Sequence, residues 1–149
     1  MPTFSLVEGT LNGPRYIELL KRALPDILQN HFPRPWPAGG APIFQQDNAT
    51  CHNVKGVLQY VRDEQGVRNM EWPPYSPDIN LIENFWKMLK EEVWRGPGPQ
   101  NRAELLARVD HLAAEVRTGA WKDRIVKLYE SMSRRLAAVI KSRGWFTKY

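Results

Sequence analysis

Two carboxylates in this sequence stand where metal-assisted chemistry would want them. Asp47 closes the short apolar run "PIFQQD", and Glu83 lies near the start of the helical stretch "NLIENFWKMLK", with 35 residues between them. The interval is filled by one predicted helix and one predicted strand. Such a unit can return the chain to the same edge of a sheet, where the two carboxylates can meet. Carboxylates at a strand end are the hard oxygen donors that Mg²⁺ or Mn²⁺ prefers. Two such ions, about 3.5–4 Å apart, clamp the attacking and leaving oxygens of a phosphodiester displacement. Both residues also have plain structural readings. Asp47 and Asn48 can form a turn by bonding their own backbone. Asn80 and Glu83 spell a capping box, and Lys87 stands one turn on as an ion-pair partner for Glu83. Spacing alone leaves both readings open.

The elements that must position these residues are legible from periodicity. "TFSLVEG" alternates and ends at Gly9, which predicts a short strand followed by the turn "GTLNGP". From Pro14, the residues Ile17, Leu20, Leu24, Ile27 and Leu28 recur at helical steps, predicting a helix to about His31. "FPRPWPAGGAP" is too rich in proline and glycine for helix or central strand and reads as a surface loop. "PIFQQD" then predicts a strand, Val54, Val57, Leu58 and Val61 a second helix, "VRNMEW" a short strand, and "PPYSPD" a proline-held loop. A third helix is expected from Asn80 through about Trp94. After the linker "RGPGPQ", "NRAE" has the form of a capping box ahead of one apolar face: Leu105, Leu106, Val109, Leu112, Ala113 and Val116. One last helix, from about Trp121 to Ser142, would carry Ile125, Leu128, Met132, Leu136 and Ile140 on one side. The alternation of strands and helices is an α/β pattern, in which ligands gather beyond the carboxyl ends of the strands.

Composition narrows the classes of function. The chain has 149 residues, 42% hydrophobic and 25% charged, which suits one folded domain. The single Cys51 excludes a disulfide framework and a four-cysteine zinc site. No apolar run approaches the roughly 20 residues that cross a bilayer, and the N-terminus lacks the pattern of a signal peptide. The expectation is a protein of a reducing compartment inside a cell, with no membrane partner. Net charge is +5 and uneven: from Phe85 onward 14 Lys and Arg face 7 Asp and Glu, whereas the residues before it hold 7 basic groups against 9 acidic ones. A basic rear half suits a grip on a polyanion such as DNA, and it equally suits a solvated helix surface.

The stretches "QQDNATCH" and "MEWPPYSPDINLIENFWKMLK" together are more specific. They closely resemble the catalytic domain of transposases of the mariner superfamily, whose second and third acidic ligands sit in a Q-D-N-x-x-x-H segment and a W-P-x-x-S-P-D-L-N-P-I-E-x-x-W segment. "LVEGTLNGPRYIELL" and "SMSRRLAAVIKSRGWFTKY" extend the likeness over nearly the whole chain. The resemblance implies an RNase H-like fold with Asp47 as the second metal ligand and Glu83 as the third. It implies that Asn48, His52, Ser76, Asp78 and Asn80 shape the site, with His52 an orienting group rather than a base. Trp72, Pro73 and Pro77 match the loop that delivers Glu83, and Trp86 and Leu89 would pack its helix onto the sheet. Leu81 departs from the family, which usually has proline there.

The first acidic ligand of that family lies on the first strand of the sheet, and none of Glu8, Glu18 or Asp26 fits it. The implied fold is therefore α/β, a truncated RNase H-like fold: a mixed sheet lacking its first two strands, followed by C-terminal helices. Residues 1–95 would form a partial catalytic core and residues 96–149 a helical extension of the same domain. The implied function is that of a DDE-type transposase fragment, related to metal-dependent DNA cleavage and strand transfer with two Mg²⁺ or Mn²⁺ ions, and inactive alone for want of one acid. The alternative is a non-catalytic, decayed or domesticated module that binds DNA or protein. Lys122, Arg124, Lys127, Arg134, Arg135, Lys141 and Arg143 are the expected DNA contacts. A homodimer is compatible with this reading, no small-molecule substrate is expected, and the location would be nuclear in a eukaryote.

Overall fold

The structure, a computed structural model, describes residues 7–37 and 40–149. The strand expected in "TFSLVEG" lies largely outside the described residues, and Gly9 beyond it has the positive φ of a turn. The chain divides into two compact units, one ending at Pro74 and the other running from Tyr75 to Tyr149.

In the first unit, helix α1 spans Gly13–His31. Asn12 caps it, its side chain accepting a bond from the Arg15 N–H at 3.1 Å, and Pro14 occupies the first turn, where a missing N–H costs nothing. The helix passes through Pro25, which cannot donate to the carbonyl one turn back. Burial of Leu20, Leu24 and Leu28 along one stripe holds it together nonetheless. Gly13 is required by contact: a Cβ there would lie 2.6 Å from a methyl of Val54. Strand β1, Ile43–Phe44, leads to helix α2, Lys55–Gln59, which widens into a π-turn at Tyr60–Glu64 before strand β2, Arg68–Asn69. The strands pair in parallel, Ile43 opposite Arg68 and Phe44 opposite Asn69, so the helix between them is a crossover. Val57, Tyr60, Val61 and Val67 close the core against α1, with Val57 and Val61 fully buried.

The second unit is helical. A 3₁₀ turn at Pro77–Ile79 precedes α3, Leu81–Val93, then α4, Arg102–Thr118, α5, Lys122–Glu130, and α6, Met132–Lys141. The cap arm of the "NRAE" box forms, the Asn101 side chain accepting from the Glu104 N–H at 2.9 Å, while the return arm is displaced by one residue: the Glu104 carboxylate accepts from the Gln100 N–H at 2.8 Å. Gly119, at φ +90°, turns the chain from α4 toward α5. Arg108 of α4 donates to the carbonyls of Val93 and Pro97, so the "RGPGPQ" linker is tied down rather than loose.

Several expectations need correction. Among the described residues the sheet is one parallel pair of two-residue strands in a mostly helical chain, where a mixed sheet was expected. The expected strand "PIFQQD" is shorter, ending at Phe44 opposite Asn69; beyond it the Gln46 side chain donates to the His52 carbonyl and accepts from the Tyr16 hydroxyl. The single last helix is two, parted at Ser131, whose hydroxyl donates back to the Leu128 carbonyl at 2.6 Å in competition with the helical pattern. The apolar side assigned to it is only half covered: Leu136 and Ile140 are exposed. Of the two residues expected to pack α3, Leu89 is buried, together with Val93, but Trp86 is exposed, and Phe85 lies near the buried Trp121.

Candidate active site

Asp47 lies three residues past the end of β1, in a segment that has left the ladder but is bound on both sides. Its Oδ1 accepts from the Ala49 N–H at 3.0 Å and lies 2.6 Å from Nδ1 of His52. Among the described residues the other carboxylate oxygen makes no bond, and the side chain is about half exposed, at 51%. His52 is itself held. Its ring lies against Tyr16 of α1 at 4.4 Å, and its carbonyl receives the bond from Gln46. Burial pushes the Tyr16 hydroxyl up to about 12, with the nearby Cys51 and Asp47 adding to the rise, so at neutral pH it is a neutral donor to Gln46 at 3.3 Å. Asn48 donates from Nδ2 to the carbonyl of Trp72 at 2.9 Å, fastening this turn to the start of the proline loop. The first unit thus gathers Asp47, Asn48, His52 and Trp72 around one carboxylate.

The second unit assembles the rest. Ser76 begins the 3₁₀ turn, Asp78 is buried within it, and Asn80 caps α3 by accepting from the Ile82 N–H at 3.4 Å. Glu83 occupies the first turn of α3. The Glu83 arm of the expected capping box does not form. The Asn80 N–H bonds to the Pro77 carbonyl, and among the described residues the Glu83 carboxylate is exposed, with neither a capping bond nor an ion pair to Lys87. α3 begins at Leu81 without the family's proline, since the Asn80 cap suffices. The other upstream acids take structural places: Glu18 and Asp26 lie on α1, and Glu18 faces Arg22 one turn on.

Among the described residues no three His, Cys, Asp or Glu side chains converge as a metal cluster would. Asp47 and Glu83 nevertheless suit a hard divalent cation by their chemistry. Each is an exposed carboxylate at the edge of an ordered element, and one is oriented through Oδ1 with the second oxygen unbonded.

The expected DNA contacts separate into three groups. Lys122, Lys127, Arg134, Lys141 and Arg143 are exposed, and Arg134 and Lys141 share one face of α6. Arg124 is engaged, bonding Glu92 at 2.9 Å and lying 4.4 Å over the Trp121 ring. Arg135 does not belong with them. It is 4% exposed, donating to the Ser131 hydroxyl and to the carbonyl of Asp78, and no phosphate reaches it there. The C-terminal residues Thr147 and Tyr149, which periodicity could not flag, join it around Asp78.

Residues 2–106 match the profile of the DDE superfamily endonucleases. The chain is 36% identical to the Transposable element Tcb1 transposase of Caenorhabditis briggsae, over 83% of this chain and 44% of that protein. It is likewise 36% identical to the Tc1 transposase of Caenorhabditis elegans, over 78% of this chain and 41% of that one. The Tc3 transposase of C. elegans is 28% identical over 93% of this chain and 39% of its own length. The chain thus spans less than half the length of the curated relatives it matches.

Proposed function

Because the chain belongs to the DDE superfamily endonuclease family, we propose that it forms part of a transposase catalytic domain in which Asp47 and Glu83 hold divalent metal for cleavage and transfer of DNA strands. The observation that carries this reading is the setting of Asp47: one oxygen fixed by His52 and the Ala49 N–H, the other unbonded beyond the end of β1. Glu83 supports it by having no structural use as a cap or ion-pair partner among the described residues. A bound Mg²⁺ or Mn²⁺ supplies Lewis-acid polarisation of the phosphodiester and a bound water of lowered pKa. The chain's own groups orient the ligands. His52 and the Ala49 N–H fix the direction of Asp47, Asn48 fastens its turn to Trp72, and the Asn80 cap sets the start of the helix that carries Glu83.

In this reading the small parallel pair is the remnant of an RNase H-like sheet, and the 149 residues supply two of three acidic ligands. The isolated chain then holds metal weakly and cleaves slowly at best. Lys122, Lys127, Arg134, Lys141 and Arg143 contact DNA phosphates, a grip without sequence preference.

One bond favours a second reading. The Asp47 Oδ1 to Ala49 N–H contact is what a side-chain turn alone would produce, as in a non-catalytic module that binds DNA or protein. Asp47→Asn separates the two, since it keeps the acceptor for Ala49 and removes the charge. Mn²⁺-dependent nicking of supercoiled plasmid, lost in both Asp47→Asn and Glu83→Gln while the fold persists, is the result expected. Nicking that survives either substitution, or a Mn²⁺ affinity, read by water-proton relaxation, that neither substitution lowers, overturns the catalytic reading.

A further inference from the structure

A buried arginine is an expensive way to pack a helix. An apolar side chain would fill the same volume without the cost of removing a charge from water, and a guanidinium is tolerated there only when its donors are satisfied. Arg135 of α6 meets that condition at one place. Its Nε donates to the Ser131 hydroxyl at 2.8 Å, its Nη1 donates to the main-chain carbonyl of Asp78 at 2.7 Å, and its guanidinium lies 4.7 Å over the ring of Tyr149. Asp78 is held at its other end as well: the Thr147 hydroxyl donates to its carboxylate at 3.0 Å. The last residues of the chain and the last helix therefore grip both the backbone and the side chain of one residue in the Pro77–Ile79 turn. That turn passes directly into the Asn80 cap, and the third residue of the helix it starts is Glu83.

We propose that Arg135, Thr147 and Tyr149 form a C-terminal latch that positions Glu83, so that the end of the chain sets the direction of an active-site carboxylate about one helical turn away. The proposal rests on the reading of Glu83 as a metal ligand. Its members are positioning residues. They act through Asp78 and the N-terminal turn of α3, and they make no contact with metal or DNA. Arg135 thereby leaves the set of DNA contacts and joins the support of the site.

The test uses the whole 149-residue chain with Thr147→Val, Thr147→Ser, Arg135→Lys and Glu83→Gln, and two measurements. Hydrogen exchange is followed in peptides covering residues 77–84, with residues 102–118 of α4 as an internal reference. Mn²⁺ affinity is read by water-proton relaxation, which requires no turnover. Thr147→Val loses the bond to Asp78 and the longer one accepted from the Tyr149 N–H at 3.4 Å, so exchange in 77–84 should quicken about 3- to 10-fold while 102–118 is unchanged. Mn²⁺ binding should weaken by a similar factor, and Thr147→Ser should restore both. Arg135→Lys keeps the charge and loses the paired donors, and should act in the same direction more strongly. Unchanged exchange in 77–84 for Thr147→Val overturns the latch, and so does looser exchange there with parental Mn²⁺ affinity. Glu83→Gln separates the two failures. If it binds Mn²⁺ like the parent, the ligand reading falls and the proposal with it. If it weakens binding and Thr147→Val does not, the latch alone is refuted.

Discussion

The contact between His52 and Asp47 yields the most exposed prediction. Nδ1 of His52 stands 2.6 Å from Oδ1 of Asp47, and the imidazole is 20% exposed against 51% for the carboxylate. A hydrogen bond to an ionised group is worth about 1.5–3 kcal/mol when shielded. With the acceptor half in water, about 1–1.5 kcal/mol is the reasonable share. Removing the orienting group by His52→Ala should therefore weaken Mn²⁺ binding about 5- to 10-fold, at the low end for a residue supporting a metal ligand. The alanine also loses the ring contact with Tyr16, worth about 0.5–1.5 kcal/mol of stability, so affinity and unfolding must be measured together. His52→Asn is the control. Its side-chain N–H stands near the place of the imidazole Nδ1 and should recover most of the affinity without recovering the ring contact. The assay is Mn²⁺ titration by water-proton relaxation beside urea unfolding. If His52→Ala binds Mn²⁺ as the parent does, Asp47 needs no orientation to serve as a ligand and the reasoning fails. If affinity falls equally in both variants, the ring contact rather than the bond is responsible.

Three further outcomes follow from the same geometry. Burial raises Tyr16 from 10.0 to about 12, so the fold favours the neutral phenol; the associated stability is whole below pH 10 and is lost as pH climbs from there toward 12. After discounting for solvent it is about 1 kcal/mol. Urea unfolding at pH 9 and pH 11.5 should show a decline shallower by that amount in Tyr16→Phe, and an equal decline would count against the assignment. Asn101→Ala removes the α4 cap and should cost about 1 kcal/mol in the same assay, whereas a neutral result would mean that the "NRAE" box is not supporting the helix. If α6 touches DNA, a plot of log affinity against log salt should lose about one phosphate's worth of slope in Arg134→Ala and none in Arg135→Lys. Equal slopes for the parent and Arg134→Ala would remove α6 from the interface.

What the sequence determined by itself is local. The stripe of Leu20, Leu24 and Leu28, the Asn101 cap, and the start of α3 at Asn80 were all legible, because a cap or an amphipathic period is written within a few residues of where it acts. The candidate carboxylates were picked out for a different reason: Asp47 and Glu83 stand in the two segments that carried the resemblance, and both lie within residues 2–106, which match the DDE superfamily endonucleases. The tertiary structure decided where those residues find their supports. Arg135 reads as one more cation in a basic run, and only the fold joins it to Asp78, 57 residues earlier, or joins Thr147 to the same residue across 69. The break at Ser131 was hidden because its hydroxyl donates back to the Leu128 carbonyl while accepting from the Arg135 guanidinium, a pair of bonds that periodicity does not register. Trp86, Leu136 and Ile140 sit at helical spacing yet remain exposed, since periodicity names a face but not whether a neighbour covers it. Periods and caps are properties of adjacent residues, whereas burial of a charge depends on partners that the chain supplies from afar, and that is why it took the structure to move Arg135 from the surface to a buried contact with Asp78.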